Sequence, residues 1–180
     1  MAHDVWHGQS NGSVIYLAEL AKVPARKDAL LKEADSTHPV HIHHRFEVPV
    51  DRLFRAWRDP YELANWAWGS LGHSATADVD FRVGGAFRVT TKRPDGETWS
   101  ISGLYTDIQP NHRIAHTLVW HAPMGYDPVP EHVEVVFHED GTGSSIDFTH
   151  AGVPDGESAA THAQGWRNTF ETLGAYLMHA

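Results

Sequence analysis

Three histidines and one tyrosine are placed to do chemistry. His44 and His150 each occupy the apolar phase of an alternating segment, and His162 stands four residues before Trp166 in a helix-like pattern. An imidazole titrates near neutrality, so a half-buried one can take or give a proton at working pH. His150, His162 and the Tyr105 hydroxyl are therefore the candidate acid–base groups. The plain alternative is a set of core histidines with satisfied hydrogen bonds. A meeting of His44, His150 and His162 as a three-nitrogen zinc site would need a carboxylate behind the ligands, and the pattern offers none. No metal is expected. His41 and His43 fall on the opposite phase of their segment and read as a solvated face.

Aromatic residues outnumber these polar candidates. Trp66, Trp68, Phe81, Phe87, Trp99 and Tyr105 fall on phases that point inward, and Trp120, Trp166 and Phe170 join them further along. Such a set either packs a core or lines a pocket for a small hydrophobic or aromatic molecule, with indole N–H and phenol O–H groups as orienting points. Asp78, Asp80, Arg82 and Arg88 alternate away from the apolar phase. They read as cross-strand ion pairs on an outer face rather than as a catalytic carboxylate dyad.

Composition removes several function classes. The formal charge of −9 disfavours nucleic acid and anionic membrane surfaces, both of which select basic faces. Cysteine is absent, which excludes disulfides, thiolate metal sites and a cysteine nucleophile. The first residues, Met-Ala-His-Asp-Val-Trp-His, lack the basic and apolar regions of a secretory signal. A cytoplasmic location is the expectation. No phosphate loop, dinucleotide glycine fingerprint, Gly-x-Ser-x-Gly elbow or His-Glu-x-x-His occurs, and no cofactor is expected.

The positioning elements follow from periodicity. Residues 1–38 read as an N-terminal extension with a short helical segment, suited to packing on the domain or to homodimer contacts. From residue 39 the pattern is regular. Val40, Ile42, His44, Phe46 and Val48 alternate as a strand; Val50, Leu53, Phe54 and Trp57 fall at helical spacing. Asp59-Pro60-Tyr61-Glu62 opens a second short helix. Strands follow over Ala77–Val83, Phe87–Thr91, Trp99–Tyr105, Arg113–His121, Val133–Phe137 and Ile146–His150. Pro154-Asp155-Gly156-Glu157 starts a long helix whose inner face carries His162, Trp166, Thr169, Phe170, Leu173 and Leu177. The predicted class is α+β of helix-grip type: a curved antiparallel sheet of about six or seven strands wrapped around the C-terminal helix, with two short helices after the first strand.

Phe54-Arg55-Ala56-Trp57-Arg58-Asp59-Pro60, Asp80-Phe81-Arg82-Val83-Gly84-Gly85, Gly103 to Pro110, Thr149-His150-Ala151-Gly152 and Gly165-Trp166 carry a further signal in their order and spacing. With these motifs the chain resembles the activator of heat-shock-protein-90 ATPase homologue family (C-terminal domain) in the SRPBCC, or START-like, superfamily, over about residues 39–178. The resemblance implies the helix-grip fold and a pocket for an apolar ligand, without fixing a reaction. It leaves three expectations: a binder of a small hydrophobic molecule, a polyketide cyclase or aromatase-like enzyme, and a chaperone-partner or dimer module. Residues 1–38 are too short to be the separate domain with which chaperone activators dock.

Overall fold

The computed structural model describes residues 38–67, 74–121, 131–153 and 155–180. Strand β1 (Val40–Phe46) is followed by helices α1 (Val50–Arg58) and α2 (Pro60–Trp66). Strands β2 (Ser74–Val79), β3 (Ala86–Lys92), β4 (Thr98–Gln109), β5 (Arg113–Trp120), β6 (Glu131–Asp140) and β7 (Gly143–Ala151) come next, and helix α3 (Gly156–Leu177) ends the chain. The strands form one seven-stranded antiparallel sheet in the order β1-β7-β6-β5-β4-β3-β2. This is the predicted helix-grip arrangement, a curved sheet with its helices on the inner face.

Local chemistry accounts for the helix starts. The Asp59 carboxylate accepts from the backbone N–H groups of Tyr61 and Glu62, and Pro60 occupies the first helical position, where no N–H is needed. Glu62 does not reach back to the cap. It is buried and holds Arg52 at 2.6 Å and Arg55 at 2.8 Å, tying α2 to α1. Asp155 caps α3 by accepting from Ser158 N–H at 2.8 Å.

Period-2 alternation buries one face of each strand. Leu53, Phe54 and Trp57 of α1, Trp66 of α2, Phe137 and Phe148 of the sheet, and Phe170, Leu173 and Leu177 of α3 share one apolar core. Helix α3 lies against β1 and α2. Among the described residues no helix is long and apolar enough to cross a membrane.

Two expectations for the 77–88 region are corrected. The alternation through Phe81 and Val83 does not continue as strand; β2 ends at Val79 and Val83 is exposed. Tight bonds from Asp80 N–H to Ala86 O and from Gly85 N–H to Arg82 O fold these residues into a turn. Cross-strand ion pairing is also not the rule there. Arg88 stands opposite Asp78 yet donates to Ser100 Oγ at 2.9 Å, and Arg82 pairs with Asp80 inside the turn.

Candidate functional site

Strand register brings one row of side chains across the sheet. Tyr105 on β4 stands opposite His116 on β5, His116 opposite Val133 on β6, Val133 opposite His150 on β7, and His150 opposite Val40 on β1. Inward side chains in such a row are neighbours about 5 Å apart. Glu131 lies opposite Leu118, one inward position beyond this row, and Trp120 ends β5 on the same side. The first turns of α3 then deliver His162 and Trp166 over this end of the sheet.

These residues form a connected polar cluster inside an aromatic wall. His150 is fully buried. Trp166 Nε1 donates to His150 Nδ1 at 2.9 Å, and His150 Nε2 lies 2.8 Å from Glu131 Oε2. An indole can only donate, so the network assigns the neutral tautomer with its proton on Nε2, and that proton is donated to Glu131. Trp120 Nε1 donates to the same carboxylate oxygen. Burial by itself pushes the Glu131 carboxyl up. The N–H donors of His150 and Trp120, with the attraction of His150 and His162 when protonated, outweigh it and hold the group below the usual carboxylate range. Gly152 adopts φ +94° beside Glu131; a side chain there would meet the Glu131 backbone at 3.1 Å.

His162 is half-buried and placed differently from His150. Its Nδ1 donates to Ser158 O at 2.7 Å, leaving Nε2 3.8 Å from Glu131 Oε1, outside hydrogen-bond reach. Its ring meets Trp120 edge-on at 5.5 Å and His150 at 5.1 Å. Of the candidate acid–base pair, His150 has both ring nitrogens committed and His162 has one to offer.

Tyr105 lies in the same interior. It is 4% exposed, with ring centroids 5.0 Å from Phe81, 5.4 Å from Phe87 and 6.1 Å from His116. Burial alone pushes the phenol well above its ordinary value, so it stays protonated. His116 donates from Nδ1 to Thr117 O at 2.9 Å, and burial lowers it to about 4, so it is neutral near pH 7.

The other expected site residues divide. Phe148, Trp166 and Phe170 pack as one aromatic stack, with Trp166 and Phe148 centroids 4.4 Å apart. Trp66 is buried, but its N–H is consumed by Ala56 O at 2.9 Å, so it fastens α2 to α1. Trp99 stands apart from the core, bonded to Glu97 and covered by the Arg93 guanidinium at 4.2 Å. Trp68 lies outside the described residues. His44 does not join His150 and His162. It sits opposite Ile146, four residues along β1 from the partner of His150, and rests on Phe46 and Phe170. Among the described residues no group of three or more His, Cys, Asp or Glu could hold a metal ion.

Sequence reasoning passed over Glu131 and His116. Parity could have found both: Glu131, Val133, Val135 and Phe137 share a phase, as do Ile114, His116, Leu118 and Trp120.

Known structures place this arrangement. Protein CV1439 from Chromobacterium violaceum superposes with a TM-score of 0.65 at 22% identity, over 77% of this chain and 96% of that one. Protein Ms6760 from Mycobacterium smegmatis gives 0.65 at 22% identity, covering 81% and 93%. The AHSA1-like protein from Aeromonas hydrophila gives 0.61 at 21% identity, covering 78% and 92%. At these identities the likeness is one of fold. No curated protein matches the chain. The model of one family, described as Activator of Hsp90 ATPase homolog 1-like protein, matches residues 47–178, which hold every element from α1 to α3, and the chain belongs to that family.

Proposed function

We propose that this protein binds a small hydrophobic or aromatic molecule between the inner face of the sheet and helix α3. The observation that carries the reading is a pair of interior polar side chains in an otherwise aromatic wall. The Tyr105 hydroxyl and the Glu131 carboxylate both belong to this interior, on side chains about nine-tenths buried or more. A few polar groups in an apolar, aromatic surrounding are what orient a small molecule in a pocket. Trp120, Phe87 and Trp166 would give the apolar contact, at about 25 cal/mol per Å² before association costs are subtracted.

Native mass spectrometry of the purified protein, followed by calorimetric titration with small aromatic compounds, tests this. The expected result is saturable one-to-one binding that Trp120→Ala weakens by roughly tenfold, the effect of about 1.4 kcal/mol of lost contact. Absence of both a co-purified molecule and any saturable binding would end the reading.

A further inference from the structure

Glu131 is a buried carboxylate whose donors are neutral. Its side chain is 9% exposed, and Oε2 takes the N–H groups of His150 and Trp120. His150 brings no charge while Trp166 donates to its Nδ1. Among the described residues no lysine or arginine pairs with Glu131, whose ion-pair partners are the titratable His150 and His162; Arg113 is spent on Asp107 and Glu134. A buried anion without a permanent countercharge is costly, so a site built this way favours a cation.

The facing atoms point the same way. Glu131 Oε1 and His162 Nε2 face each other across 3.8 Å, and in the neutral His162 tautomer whose single proton is on Nδ1 both are acceptors. A donor placed on both would satisfy each. His116 adds another neutral imidazole with Nδ1 already donating, and so another acceptor, further along the interior. The Trp120 ring meets His162 edge-on at 5.5 Å beside this pair. Rings beside a carboxylate suit an ammonium group, through charge and through the ring quadrupole. The same features repel a ligand carboxylate or phosphate.

We infer that the interior site selects an organic cation: a protonated amine on an apolar or aromatic body, its N–H groups on Glu131 Oε1 and His162 Nε2 and its body against Trp120. This rests on the interior-binding reading above and names the ligand class for it.

Three probes sharing one body separate the possibilities: phenethylamine, phenethyl alcohol and phenylacetate, titrated into the full chain by calorimetry near neutral pH. The amine is expected to bind at least roughly tenfold more tightly than the alcohol, with phenylacetate weakest. In Glu131→Gln the amine should lose that advantage over the alcohol. Equal binding of amine and alcohol, or an amine preference that survives Glu131→Gln, would overturn the cation site and leave apolar binding standing. No binding of any probe, with no co-purified molecule, would overturn both. The comparison on the unaltered chain decides the matter even if Glu131→Gln folds poorly.

Discussion

His150 and His116 are both buried imidazoles, and their partners give them different work. His150 is clamped between Trp166 and Glu131, which fixes its tautomer and lets it aim the carboxylate. His116 has only the Thr117 carbonyl, and burial takes its value from 6.5 to about 4. That depression has a signed consequence. As pH falls below about 6.5 the unfolded chain takes up a proton on this residue while the folded chain does not, so stability drops until about pH 4 and then levels. Fully expressed, the loss is on the order of 3 kcal/mol. His44 and His121 are lowered by burial too, so the wild-type curve contains their contributions. Urea unfolding of wild type and His116→Leu between pH 7 and 4 isolates the residue. The gap between the two unfolding free energies should shrink by up to about 3 kcal/mol across that window, as wild type loses the advantage it held at neutral pH. Parallel curves would show that His116 titrates normally in the fold.

At the scale of elements, the site depends on how closely β4 approaches β5. Gly103 makes that approach possible. A Cβ there would lie 1.8 Å from Thr117 O and 2.6 Å from the Phe87 ring, and Leu104 N–H bonds to the Thr117 hydroxyl beside it. Gly103→Ala must push the strands apart just before Tyr105 and the register shift that follows it. The expected cost is about 2–3 kcal/mol, or a fall in Tm of roughly 5–10 °C by calorimetry. A variant melting within about 1 °C of wild type would mean the strands are not held this tightly. The sequence pattern showed Gly103 inside a strand without showing what it approaches. Most elements were legible because one buried face per strand enforces a period of two, and because Asp59-Pro60 and Asp155 carry start signals. Where turn bonds beat the period, as at Phe81 and Val83, alternation misled. The site was legible only in part. His150, His162, Trp166 and Tyr105 could be named from phase alone, but which of them meet depends on register. Val40, not His44, stands opposite His150, and no local pattern encodes that. Glu131 stands between a Pro- and Gly-rich stretch and the predicted Val133–Phe137 strand, so its inward phase was passed over.

For the whole molecule, the question is where the folding unit begins. The family match starts at residue 47, after β1. The structure gives β1 a full partnership: it pairs with β7 from Val40–His150 to Phe46–Ser144 and buries Val40, Ile42 and Phe46. Burying such side chains is worth about 1.5–3 kcal/mol each, together comparable to the roughly 5–15 kcal/mol net stability of a domain. Without β1, β7 would also become an open edge carrying unpaired backbone groups. Upstream, His38 N–H reaches Val153 O at 3.4 Å, so the described contacts begin there. A chain starting at residue 38 keeps every described residue and should unfold in one cooperative transition. A chain starting at residue 47 should show no cooperative transition by circular dichroism. A lower Tm for the residue-38 chain than for the full chain would mean that residues 1–37 pack on the domain. A cooperative melt in the shorter one would mean that β1 is dispensable. Light scattering on the full and residue-38 chains tests the dimer expectation directly, since contacts made by the extension predict a mass that halves when it is removed.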